Sequence, residues 1–133
     1  MFMLDKRLAT DTEPVTDWPL CRVRLMRDAN YPWLILVPAR DGARHLHELP
    51  AADQAQAMAE ISRASAALET LHNPFKINVA ALGNVVDQLH IHVIARFETD
   101  AAWPGPVWGV QPTLDYSADE LAETIGKLRQ VLD

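Results

Sequence analysis

Residues 87–96, DQLHIHVIAR, alternate: Leu89, Ile91 and Val93 are apolar, and Gln88, His90 and His92 stand between them. On a strand, side chains two apart share a face. A segment that buries Leu89, Ile91 and Val93 against a core must therefore present a glutamine and two imidazoles together on its other side. The spacing predicts a strand over Gln88–Phe97, and a half-buried strand of this kind needs a sheet around it and a layer packed against its apolar face. A chain of 133 residues closes one such core and not two, so a single domain over residues 1–133 is expected.

The rest of the sequence supplies the partners. Cys21, Val23 and Leu25 alternate with Arg22, Arg24 and Met26, the two-residue period of a strand running from Cys21 to Arg27. Asp28-Ala29-Asn30 reads as a turn, and WLILV, Trp33 to Val37, as a buried second strand closed by Pro38. After Pro50 the period changes. Met58, Ile61, Ser65, Leu68 and Leu71 lie three or four apart in an alanine-rich stretch, which predicts a helix from about Ala51 to His72, ended by Asn73-Pro74. Phe75–Ala81 reads as a third strand, Gly83-Asn84 as the turn before the fourth, and DAAWPGPVWG as a loop. Ser117-Ala118-Asp119-Glu120 has the form of a capping box, with Leu121, Ile125, Leu128 and Leu132 continuing as an amphipathic helix. This order predicts an α+β protein: a mostly antiparallel sheet with one long central helix and a C-terminal helix, the helices on one face.

Charge narrows the partners. A formal charge of −6 argues against binding a nucleic-acid polymer, which relies on a basic face, but leaves room for a small nucleotide held by backbone N–H groups and neutral donors. One cysteine, Cys21, cannot form an internal disulfide, and its place in a strand predicts a packed thiol in a reducing compartment. The N-terminal residues lack the pattern of a secretory signal, and no apolar run is long enough for a membrane span. A cytoplasmic protein is the expectation.

The paired imidazoles admit two chemistries. A His-x-His pair can ligate zinc, but no third ligand stands at a recognisable spacing; His45, His47, His72 and Glu98 are candidates in number only. Alternatively, a histidine with an ordinary pKa near 6.5 is mostly neutral at pH 7, and its free ring nitrogen can attack phosphorus while a neighbouring imidazole binds the phosphate oxygens.

QLHIHVIAR, preceded by INVAALGN and followed by WPGP, resembles the histidine triad family, whose signature is His-x-His-x-His followed by two apolar residues. The resemblance runs from about Leu20 to Gly109. It implies a nucleotide hydrolase or transferase that cleaves at the α-phosphate, with dinucleoside polyphosphate-like substrates favoured. His90 would be the nucleophile forming a covalent nucleotidyl-histidine, and His92 would bind the phosphate and orient it. Asn84, Asn78 and the backbone N–H near Val85 would contact phosphate oxygens, while Asp28 or Asn30 would hold the ribose. Arg96 points to the same side as His92 and is a candidate phosphate contact; Trp103 and Trp108 are candidates for stacking on a base or for a dimer interface. The resemblance also implies a two-fold homodimer and no cofactor, with magnesium accompanying a polyphosphate substrate at most.

Two positions depart from the family pattern. Gln88 stands where the first histidine belongs, and VPARDGARHLH does not clearly match the upstream histidine motif, although His45 or His47 could substitute. A carboxamide donates a hydrogen bond but is no general acid near neutral pH. Gln88 thus favours leaving groups that need no proton, such as a nucleotide or pyrophosphate, over amines. The alternative is a nucleotide-binding module on the same fold with no catalysis.

Overall fold

The computed structural model describes residues 1–133. In chain order the elements are α1 (Lys6–Asp11), β1 (Thr12–Asp17), β2 (Cys21–Met26), β3 (Trp33–Pro38), a 3-10 turn (Leu46–Glu48), α2 (Ala51–His72), β4 (Lys76–Ala80), β5 (Ile91–Arg96) and α3 (Ala118–Leu132). The strands form one five-stranded sheet in the order β1-β2-β3-β5-β4, and each neighbouring pair is antiparallel. The architecture is α+β, as the alternating and helical periods require.

One face of the sheet meets α2 and α3. Val23, Leu25, Leu34, Leu36, Ile91, Val93 and Ala95 point to it and bury against Ile61, Ala64 and Leu68 of α2 and Leu128 and Leu132 of α3. Each fully buried leucine there contributes about 1.5–3 kcal/mol relative to exposure. Asn73 ends α2 in the left-handed conformation at φ 46°, its N–H donating to the Glu69 carbonyl, with Pro74 forbidding a further turn. At the start of α3, Ser117 and Glu120 form the reciprocal cap that their spacing predicts.

The expectation that packing is confined to one face needs correction. Trp33, Ile35, Val37 and Ile94 point the other way and are buried too, under Leu8 of α1 and under Ala102 and Val107 of the loop after β5. Every residue of β3 and β5 is therefore buried. The cover explains why WLILV is a continuous apolar run: a strand enclosed on both faces has no solvent side to mark with polar residues.

Neither α1 nor β1 is visible in the periodicity. TEPVTD offers only Val15 to the core, and Pro14, which lacks an N–H, sits beside a register irregularity on this edge strand. Pairing with β2 makes it a strand, and contacts from α3 hold it: Arg129 Nε donates to the Val15 carbonyl at 2.8 Å, and Trp18 Nε1 to the Leu132 carbonyl at 3.1 Å. Cys21 is a packed thiol, as expected. Burial and the adjacent Glu60 carboxylate, which accepts the Leu20 and Cys21 N–H groups, push its pKa well above the ordinary thiol value. No helix is long and apolar enough to cross a membrane.

Candidate active site around His90 and His92

His92 lies within β5 directly opposite Ile35, and its side chain meets Trp33, two residues along the same face of β3. Trp33 Nε1 donates to His92 Nδ1 at 3.0 Å. An indole nitrogen only donates, so His92 Nδ1 must be the lone-pair nitrogen, and in the neutral ring the proton is on Nε2. His90, just before β5, is held the opposite way. Its Nδ1 lies 2.7 Å from the Gln88 carbonyl, which only accepts, so Nδ1 carries the proton and Nε2 keeps its lone pair. Neither Nε2 has a protein partner, and Tyr31 Oη is the one fully buried side-chain polar atom without one, so both nitrogens open to the cavity. Two imidazoles with ring centres 5.0 Å apart thus present one acceptor and one donor to a shared space.

That space is a cavity of about 220 Å³ lined by Leu8, Asn84, Val85, His90, His92 and Trp108. Arg7, Asp11, Met26 and Trp108 also line an adjoining cavity of about 540 Å³ that reaches Asp28, Trp33 and Asp115. Beside the imidazoles, Gly83 turns the chain at φ 74°, a conformation costly for residues with a Cβ, and the N–H groups of Asn84 and Val85 take no partner from the chain. Trp108 stands edge-on to His92, with ring centres 5.0 Å apart, and lines both cavities.

Burial, and then the charge His90 would carry, push the His92 pKa down to about 4. His92 therefore stays neutral through the physiological range and keeps its Nε2–H donor. The unfolded chain protonates this ring near 6.5 and the folded chain only near 4, so the stability present above pH 6.5 falls as the pH drops between those values. The loss attributable to His92 is about 3 kcal/mol. Denaturant unfolding of the wild type and His92→Gln between pH 7 and pH 4 should show the wild type losing that much more. Parallel curves would rule the depressed pKa out.

The expected site residues divide. His90, His92, Asn84 and Val85 line the cavity beside the imidazoles, and Asp28 lines its extension. Asp28 Oδ1 accepts from the Asn30 N–H, the Asn30 carboxamide and the Leu114 N–H, leaving Oδ2 without a protein partner. The Asn30 Nδ2 is engaged by Asp28 and by the Pro112 carbonyl, and Asn30 does not line the cavity that Asp28 lines.

Four residues are placed elsewhere. The Gln88 carboxamide accepts from the Asp5 N–H at 2.8 Å and donates to the Met3 carbonyl at 2.9 Å, so it pins the N-terminal segment and does not line the cavity at the imidazoles. Glutamine suits this position because it offers a donor and an acceptor together to a backbone that needs both. Arg96, 1% exposed, is engaged by Asp100, the Gly105 carbonyl and Asn78 Oδ1, and neither Arg96 nor Asn78 lines the cavity at the imidazoles. Trp103 stacks edge-on against Phe75 and lies over the Arg96 guanidinium. Burial disfavours the Asp100 carboxylate, but hydrogen bonds from Arg96 and from the Phe97 and Trp103 N–H groups outweigh it and hold its pKa below the usual value. This cluster anchors the loop that delivers Trp108.

Arg7 and Asp11, which line both cavities, escaped the sequence reading because α1 is only six residues long. The available signal was Asp5, whose carboxylate caps the Arg7 and Leu8 N–H groups as a helix-starting aspartate does. For the zinc reading, no group of three His, Cys, Asp or Glu side chains is close enough to hold a metal ion.

Fold and site define an α+β protein whose cavity is built on a His-x-His strand. The HIT domain model matches residues 7–99. Solved histidine triad proteins superpose over nearly the whole chain. That from Bradyrhizobium japonicum is 48% identical, with 99% of this chain and 98% of the other covered and a TM-score of 0.97. Those from Marinobacter aquaeolei (46% identity, 99% and 96% covered, TM-score 0.97) and Sinorhizobium meliloti (43%, 98% and 97%, TM-score 0.96) are similarly alike. A search of curated proteins gave no match. The chain belongs to the histidine triad family, which includes nucleotide hydrolases and transferases as well as members without catalysis.

Proposed function

We propose that this protein is a nucleotide hydrolase or transferase that works through a nucleotidyl-His90 intermediate, with dinucleoside polyphosphates as the favoured substrate class. The observation that carries this reading is the opposed tautomers of the two imidazoles: a free lone pair on His90 Nε2 beside an N–H on His92 Nε2. The lone pair attacks the α-phosphorus, and the P–O bond to the leaving group breaks with its electron pair. The His92 Nε2–H and the N–H groups of Asn84 and Val85 stabilise the oxygens as charge builds on them. Water then cleaves the P–N bond, releasing the nucleoside monophosphate and restoring His90. In this reading Asp28 accepts from a ribose hydroxyl through Oδ2, supported by its place in the cavity wall with Oδ1 already engaged, and Trp33 and Trp108 offer apolar surface to the nucleoside. Magnesium, where involved, belongs to the polyphosphate substrate. The reading includes a two-fold homodimer, for which the β4 edge, with Val79 exposed, offers a face.

With Gln88 engaged by residues 3 and 5, no acid stands at that position to protonate a departing amine. A nucleotide or pyrophosphate leaves without a proton, whereas an amine does not, and a missing general acid costs about 100-fold or more. Steady-state turnover of a dinucleoside tetraphosphate should therefore exceed that of a nucleoside phosphoramidate by about that factor. Preference for the amine substrate would defeat the leaving-group argument. Tight nucleotide binding with no turnover of either substrate would identify the protein as a binding module.

A further inference from the structure

His90 stands in the wall of a second cavity. It has a volume of about 350 Å³, meets the first at Gly83 and His90, and is lined beyond them by Arg44, His45, His47 and Leu89. The donors that face it are held in place. Glu48 Oε1 accepts the N–H groups of Arg44 at 2.9 Å and His45 at 2.8 Å. The rings of His45 and His47 lie stacked, 5.3 Å apart and 12° from parallel. The Leu89 N–H donates to the Ala43 carbonyl at 3.0 Å, which ties this loop to the residue before His90. Arg44 Nε donates to Asp87, while the two terminal nitrogens of its guanidinium have no protein partner.

The two cavities differ in charge. Asp11, Asp28 and Asp115 line the extended first cavity together with Arg7 and Arg27, whereas Arg44 lines the second and no carboxylate does. In a protein of net charge −6, the second cavity gathers a guanidinium and two imidazoles with His90. A dianionic or more highly charged group meets three carboxylates in the first cavity and none in the second, so the second is the more favourable of the two for it.

We propose that the second cavity is the leaving-group subsite and that it takes a phosphate chain: pyrophosphate, or the phosphate end of the departing nucleotide. This rests on the nucleotidyl-His90 reading. With the α-phosphorus at His90 and the ribose toward Asp28, the departing phosphates enter the cavity on the other side of Gly83. The Arg44 terminal N–H groups bind them as a planar fork, and His45 and His47 add single donors. The electron pair of the broken P–O bond stays on a phosphate oxygen already surrounded by donors, so no proton is required.

The first measurement is calorimetric binding of inorganic pyrophosphate to the whole chain. The wild type should bind it, and Arg44→Ala/His47→Ala should bind about tenfold more weakly or worse. Arg44→Gln/His47→Gln, which keeps side-chain bulk, gives the same readout should the alanine pair disturb the loop. The second measurement compares kcat/KM for a dinucleoside tetraphosphate with that for a nucleoside 5′-(p-nitrophenyl phosphate), whose leaving group carries no phosphate. The preference for the tetraphosphate should drop about tenfold in the double variant. Undetectable pyrophosphate binding in the wild type, an unchanged Kd in both variants, or equal losses on the two substrates would overturn the subsite. Pyrophosphate binding that behaves as expected in a protein that turns over neither substrate would support the anion site and reject the covalent reaction.

Discussion

Replacing His90 with alanine should abolish the covalent adduct and lower kcat by roughly four to six orders of magnitude, the range seen when a covalent nucleophile is removed. The expectation follows from how the ring is held. The Gln88 carbonyl fixes the proton on Nδ1, which leaves Nε2 as a lone pair facing the cavity, and no neighbouring side chain can take over that role. His92 cannot substitute as it stands, because Trp33 occupies the one nitrogen that lacks a proton. Intact-protein mass after brief mixing with substrate, quenched in alkaline denaturant because P–N bonds are acid-labile, should show the wild type heavier by one nucleotidyl group. His90→Ala should show none. The fold should survive, since the substitution removes a ring at the cavity edge and one hydrogen bond worth about 1 kcal/mol. An adduct of undiminished yield in folded His90→Ala would place the nucleophile elsewhere.

Arg96→Leu should cost about 3–5 kcal/mol, the penalty for removing one partner of a buried ion pair and leaving the other uncompensated. Arg96 and Asp100 are 1% and 5% exposed, and the guanidinium also satisfies Asn78 and the Gly105 carbonyl, so the substitution leaves three groups without their partner. For a domain of this size the loss lowers the Tm by roughly 10–20 °C. It should also raise KM, because the loop held by this cluster brings Trp108 to His92. Asp100→Leu added to Arg96→Leu should restore part of the stability, since an apolar pair of matched volume leaves no orphaned charge. A Tm change under about 3 °C for Arg96→Leu would show that the cluster does not anchor the loop.

Both results depend on residues whose roles spacing alone misassigned or left open. Alternation, the apolar run WLILV and the helical period identified β2, β3, β5, α2 and α3, and Phe75–Ala81 reads as the strand that is β4, because an element that buries a side writes that side into its own sequence. They missed β1, which has Val15 as its core residue and is a strand through its pairing with β2, and α1, which is too short to carry a period. In the site, the strand pattern put His90 and His92 on a common face, and that is where they lie. It put Gln88 in the same row, where its carboxamide is instead claimed by Met3 and Asp5, and it treated Arg96 and Asn78 as free when they bind each other.

What the sequence determined by itself was the α+β plan and the pairing of two imidazoles on one strand, because both follow from periods of two and 3.6 residues acting over neighbouring positions. Only the tertiary structure decided which nitrogen carries each proton, which polar side chains stay free for a substrate, and that the N-terminal residues help enclose the cavity. Those outcomes rest on partners far apart in the chain, 59 residues for Trp33 and His92 and 83 for Asp5 and Gln88. A local period cannot encode such distant hydrogen bonds, since each is set by where the packed sheet brings two segments together.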